Sequence, residues 1–186
     1  MRVALINPSF SKYGGLSGHG GSMAPINLCY LAAYGRQQHP DVEFRIIDSD
    51  VHGLSHEETT DEVAKFDPML IGITANTCAF DSVIQLSKRL KNRFPKSKLI
   101  IGGSHPSALP EQSLHETGAD FMVIGEGERQ LSQVIGQLKD RDEDWSKLKG
   151  IVRLDDNGAA KRGPTQELFD DLDVIPMPAR DLIDNN

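Results

Sequence analysis

Short, nearly continuous apolar runs alternate along this chain with stretches whose apolar residues recur at helical spacing. Val3-Ala4-Leu5-Ile6 is the first run, and residues 43–47, 69–74, 98–101 and 121–124 are the next four. Between them, Ile26, Leu28, Leu31, Ala32 and Tyr34 mark a helix that Pro25 can open, because its missing N–H would be unpaired in a first turn anyway. Ser55-His56-Glu57-Glu58 starts a second helix with Ser55 at the N-cap. Phe80, Val83, Ile84, Leu86, Leu90 and Phe94 mark a third, residues 110–116 a short fourth and 129–138 the last. Strands that are apolar throughout, separated by helices, belong to a parallel sheet covered on both faces. The pattern predicts an α/β protein: a flavodoxin-like (Rossmann-like) five-stranded parallel sheet of order 2-1-3-4-5, with helices on both faces.

Past residue 140 the alternation stops. Arg141-Asp142-Glu143-Asp144 is a charged loop, and residues 151–154 and 159 onward flank Asp155-Asp156-Asn157-Gly158, the turn chemistry of a β-hairpin. The last stretch carries Pro176 and Pro178, which resist regular structure. The expected organisation is an α/β domain over residues 1–140, followed over 141–186 by a hairpin and a linker toward a further domain.

Composition narrows the function classes. A formal charge of -7 argues against a broad nucleic-acid surface, and no apolar run approaches the roughly 20 residues that span a bilayer. The N-terminal residues form a strand and lack the shape of a signal peptide. Cys29 and Cys78 stand far apart, so neither a disulfide framework nor a thiolate metal cluster is expected. These features together read as a cytoplasmic protein.

Candidate chemistry gathers at one edge. Open α/β sheets bind ligands outside the carboxyl ends of their strands, beside the point where strand order reverses. The predicted topology puts loops 7–22, 74–79, 102–108 and 125–128 there. Two of these follow apolar strands directly: Ile101-Gly102-Gly103-Ser104-His105 and Ile124-Gly125-Glu126-Gly127-Glu128. Glycines in such loops let the backbone approach a large ligand closely. The 7–22 loop holds Ser9, Ser11, Tyr13, Ser17, His19 and Ser22 among five glycines, and reads either as a functional segment or as a plain surface loop.

Several stretches carry a family resemblance. Ala24-Pro25-Ile26-Asn27-Leu28-Cys29-Tyr30-Leu31-Ala32-Ala33-Tyr34 resembles the first helix of the cobalamin-binding domain at the N-terminus of radical SAM enzymes. So do Ile101-Gly102-Gly103-Ser104-His105-Pro106-Ser107-Ala108-Leu109-Pro110-Glu111, Gly118-Ala119-Asp120-Phe121 and Ile124-Gly125-Glu126-Gly127-Glu128. Leu172-Asp173-Val174-Ile175-Pro176-Met177-Pro178-Ala179-Arg180 looks like that family's join to its catalytic barrel. The group includes anaerobic magnesium-protoporphyrin monomethyl ester cyclases and cobalamin-dependent methyltransferases. The Cys-x-x-x-Cys-x-x-Cys motif of its catalytic half is missing here.

The resemblance implies a corrinoid cofactor, cobalamin, and a radical SAM barrel of the same polypeptide as partner. A [4Fe–4S] cluster and S-adenosylmethionine would belong to that barrel and not to this chain. The role implied is to present cobalt for methyl transfer or oxidative cyclisation, with no catalytic residue within this chain. Implied cofactor contacts are Ser9, Tyr13, His19, Thr74, Asn76, Thr77, Gly102, Gly103, Ser104, His105, Gly125, Glu126, Gly127 and Glu128. Gly102 and Gly103 would let the nucleotide tail pass along the sheet, and Glu126 and Glu128 would accept from corrin amides or ribose hydroxyls. His19 is the candidate cobalt ligand, within Ser17-Gly18-His19-Gly20-Gly21-Ser22. Related modules place Asp-x-His-x-x-Gly there, and the Asp that orients the imidazole is absent. Asp50-Val51-His52 has an Asp-x-His fragment, but it follows the second strand and has Ser55 at the glycine position, so it is set aside.

Plainer roles stand beside these. Thr77 suits a helix cap, Glu128 a helix N-terminus and His105 the entry to a helix. Two other functions also fit the fold. One is a nucleotide- or nucleotide-sugar-binding enzyme domain, although Gly-x-Gly-x-x-Gly is absent after the first strand. The other is a flavodoxin-like interaction domain that binds no cofactor.

Overall fold

The structure is a computed structural model that describes residues 1–10, 24–142 and 144–183. Five parallel strands form its centre: β1 (Arg2–Asn7), β2 (Glu43–Asp48), β3 (Leu70–Thr74), β4 (Lys98–Gly102) and β5 (Phe121–Val123). They lie in the order β2-β1-β3-β4-β5, so the chain steps outward from β1 to β2 and returns to β3 on the other side of β1. Right-handed crossovers then put the helix of the outward step on one face and the helices of the return on the other. Helix α1 (Ile26–Gln38) and α6 (Glu128–Asp140) pack together on one face. On the other lie α2 (His56–Phe66), α3 (Phe80–Arg93), α4 (Ser104–Ala108) and α5 (Pro110–Thr117).

Alternate strand residues serve the two faces, as the period of a strand requires. Val3, Leu5, Leu70, Ile100 and Val123 join the core under α1 and α6. Ala4, Ile6, Ile71, Ile73, Leu99, Ile101 and Met122 join the core under α2, α3 and α5. Local signals place the helix ends. Ser55 accepts from the Glu58 N–H while the Glu58 carboxylate accepts from the Ser55 N–H at 2.7 Å, a complete capping box at the start of α2. Among the described residues, no helix is long and apolar enough to cross a membrane.

The sheet differs from expectation in its strand count. It has seven strands, because β6 (Ile151–Leu154) pairs antiparallel with β5, and β7 (Ala160–Arg162) pairs antiparallel with β6. The expected hairpin is present, but it extends the sheet. The reason lies in β5, three buried residues whose outer edge would otherwise present unpaired backbone groups. β6 covers that edge and adds Ile151 to one core and Val152 to the other. Asp155 closes the turn by accepting from the Asn157 and Ala159 N–H groups, with Gly158 at φ 77°. Lys161 and Arg162 then charge the outermost strand. The segment read as a linker folds back onto α1, where the Ala179 N–H donates to the Cys29 carbonyl at 3.1 Å and Arg36 pairs with Asp181 at 2.8 Å.

Candidate functional site

At the carboxyl edge of the sheet, the α1/α6 face does not close completely. A cavity of about 280 Å³ remains between the ends of the central strands, the first turns of α1 and the start of α6. Its buried lining is hydrocarbon: Leu5 from β1, Leu28 from α1, Ile100 from β4, Val123 from β5 and Leu131 from α6. Leu31 adds a partly buried apolar wall. The volume sits at the small end of the roughly 300–1,000 Å³ typical of small-molecule pockets.

Glycines in the lining let its walls approach closely. A Cβ on Gly72 would sit 2.8 Å from Leu5 Cδ2, so only glycine lets Leu5 lie across β3 beside the cavity. At Gly127 a Cβ would come within 3.1 Å of Leu31 Cδ2, which ties the α6 entry to α1. Gly103 is set by the backbone. Its φ of 118° is left-handed territory, and a Cβ there would meet the Ala75 carbonyl oxygen 2.3 Å away. The Ala75 N–H donates to the Gly102 carbonyl at 2.8 Å, so the β4–α4 turn is clamped onto the end of β3.

Polar groups stand at the mouth. Asn27 Nδ2 donates to Thr74 Oγ1 at 2.9 Å and so bridges α1 to the end of β3. Glu126 and Glu128 line the opposite side, at the entry to α6. Burial pushes the Glu128 carboxyl above the usual carboxylate range. Its own backbone N–H and that of Gly127 pull it down, while Glu126 pushes it up further. The Gly125 N–H donates to Ser107 Oγ at 3.0 Å, which fixes the loop between β5 and α6.

Of the residues singled out from sequence, Thr74, Gly102, Gly103, Gly125, Glu126, Gly127 and Glu128 come together around this cavity. Tyr13 and His19 lie outside the described residues. Ser9, Asn76, Thr77, Ser104 and His105 do not line it. The Asn76 side chain accepts from the Ala79 N–H at 2.8 Å, just ahead of α3. Thr77 Oγ1 lies 3.3 Å from His105 Nδ1, and the buried His105 ring stacks on Phe80 with centroids 3.8 Å apart. Among the described residues His105 Nε2 has no hydrogen-bond partner. Ser104 is exposed at the first turn of α4. Ser9 is buried on the other face, where its carbonyl accepts from Ser82 Oγ at 3.3 Å. Asp50 accepts from the Phe10 N–H at 2.8 Å, which gives the Asp-x-His fragment a structural role at the start of the first loop.

The sequence reading missed the apolar lining: Leu5, Leu28, Leu31, Ile100, Val123 and Leu131, together with Asn27 at the mouth. Apolar residues at core spacing look alike whether they touch another side chain or a gap. The available signal was Gly72 in the middle of a central strand, where a missing side chain often marks a close approach. Among the described residues no group of three or more His, Cys, Asp or Glu side chains could hold a metal ion.

Fold and cavity together describe a ligand-binding α/β domain of the flavodoxin-like kind. The family model for the B12 binding domain matches residues 17–135, and the chain belongs to that family. Its relatives agree. An uncharacterized methyltransferase of Pyrococcus horikoshii is 33% identical over 162 residues, a match covering 86% of this chain and 34% of the relative. The anaerobic magnesium-protoporphyrin IX monomethyl ester cyclase of Rubrivivax gelatinosus is 26% identical over 182 residues, covering 94% and 32%. Among solved structures, the cobalamin-dependent S-adenosylmethionine radical enzyme OxsB with aqua-cobalamin bound superposes with a TM-score of 0.78 at 19% identity, over 97% of this chain and 24% of that one, a likeness of fold. The chain thus spans about a third of the length of the curated relatives it matches.

Proposed function

We propose that this chain binds cobalamin, with the nucleotide tail in the α1/α6 cavity and the corrin over the loops at its mouth. A radical SAM barrel elsewhere in a longer polypeptide, carrying its own [4Fe–4S] cluster and S-adenosylmethionine, would meet the cobalt from the open side. The observation that carries this reading is the cavity itself: a space of about 280 Å³ with buried aliphatic walls, Gly72 and Gly127 in its lining and polar side chains beside it. A flat base with its ribose matches its size, and a corrin must stay outside. Bound cobalamin supplies a cobalt centre able to carry a methyl group or an electron.

The chain's own residues hold and orient the cofactor. Leu5, Leu28, Val123 and Leu131 exclude water from the buried tail, and their burial of apolar surface contributes about 25 cal/mol per Å². Asn27, Thr74, Glu126 and Glu128 meet the ribose hydroxyls and corrin amides at the rim. Two carboxylates beside the mouth also disfavour the clustered negative charge of a nucleoside di- or triphosphate. Reconstitution with hydroxocobalamin followed by gel filtration tests the reading. Corrin absorbance should co-elute with the protein. Tight nucleotide or nucleotide-sugar binding with no co-eluting corrin would overturn it.

A further inference from the structure

The cavity's chemistry separates corrinoids that differ only in their lower base. The buried side chains that line it, Leu5, Leu28, Ile100, Val123 and Leu131, offer carbon alone. The strand backbones behind them are engaged with one another, since Leu5 pairs with Gly72, Gly72 with Ile100 and Thr74 with Gly102. The Gly102 carbonyl already accepts from the Ala75 N–H. The lining side chains able to hydrogen-bond are exposed or half-buried: Asn27 and Thr74, bonded to each other, and Glu126 and Glu128 at the entry to α6. A base seated against these five buried side chains meets no donor or acceptor on any of them.

We propose, resting on the cobalamin reading above, that this cavity selects the corrinoid by its lower base and favours an apolar benzimidazole over a purine. A dimethylbenzimidazole buries two methyl groups and a benzo ring against the aliphatic wall. Adenine in the same place buries an exocyclic amine and ring nitrogens that exchange their water partners for hydrocarbon. One buried polar group left unpaired costs about tenfold to a hundredfold in affinity. The discrimination comes from the wall and requires no contact to cobalt.

The test is a binding titration of the chain, followed by the visible spectrum, with three probes. These are hydroxocobalamin, its analogue with adenine as lower base, and cobinamide, which has no nucleotide. Hydroxocobalamin should bind at least about tenfold more tightly than the adenine analogue, and cobinamide more weakly than hydroxocobalamin. Equal affinity for the two base-bearing corrinoids, with cobinamide weaker, would overturn the selectivity and leave the cobalamin reading standing. Cobinamide binding as tightly as both would show that the tail does not use the cavity, and would overturn the selectivity as well. Failure of all three to bind would overturn the cobalamin reading and the selectivity with it.

Discussion

The two faces of the sheet reach the same carboxyl edge and finish differently. Under α1 and α6 the packing stops short and leaves an apolar slot. Under α2 and α3 the corresponding space is filled by a small polar network. His56 Nε2 lies 2.8 Å from Ser82 Oγ, Ser82 bonds the Ser9 carbonyl, and Ser49 Oγ lies 2.8 Å from Thr59 Oγ1. Next to it the His105 ring stacks on Phe80. One face keeps the room a ligand needs. The other fixes the base of the first loop to α3 and stiffens the edge. On the proposed reading, topology selects the edge and side-chain volume selects the face.

The comparison can be broken at the turn the two faces share. Gly103→Ala drives a Cβ into the Ala75 carbonyl at a left-handed φ, and should lower stability by roughly 3 kcal/mol and weaken the cavity with it. A urea denaturation midpoint measures this, and an unchanged midpoint would show that the clamp is not needed. On the open face, Val123→Phe fills the slot. Hydroxocobalamin affinity should fall about a hundredfold by titration, while overpacking costs about 1–3 kcal/mol of stability. Retained affinity would place the ligand elsewhere.

On the filled face the expectation reverses. Ser82→Ala leaves the buried His56 without its hydroxyl partner and should cost about 1–2 kcal/mol in stability, with no change in hydroxocobalamin affinity. A matching loss of affinity would mean that both faces serve the ligand. The smallest effect is a pH dependence. Burial, helped by the positive charge of Arg89, lowers the His56 pKa from its ordinary 6.5, so the folded state binds fewer protons than the unfolded chain. Its contribution is present above 6.5 and is lost as the pH falls through the lower folded value. Melting temperatures from pH 7.5 to 5 should fall more steeply for the wild type than for His56→Gln. Identical slopes would remove His56 from the acid response.

Much of this difference could not be read from the residues in order. The strands, their parallel order and the glycine loops at residues 102–103 and 125–127 follow from period and turn chemistry, and those glycines do meet at one cavity. Leu28 and Leu131 gave no warning, because a core leucine and a cavity-lining leucine have the same spacing and differ only in what lies beyond them. Asn76 acts locally, accepting from the Ala79 N–H in the turn between β3 and α3, whereas Thr77 and His105 meet across two loops 28 residues apart, and short polar residues have many such partners available. The hairpin was legible as a hairpin. Its place in the sheet was not, since that depends on how little of its own edge the short β5 can protect.

Hydrogen–deuterium exchange of the chain with and without hydroxocobalamin addresses the contrast between the faces most directly. Segments at residues 26–31, 72–75, 102–103 and 125–131 should gain protection, and those at 49–60 and 80–87 should not change. Protection centred on His56 and Ser82, with the α1/α6 segments unaffected, would contradict the assignment of the ligand to the open face.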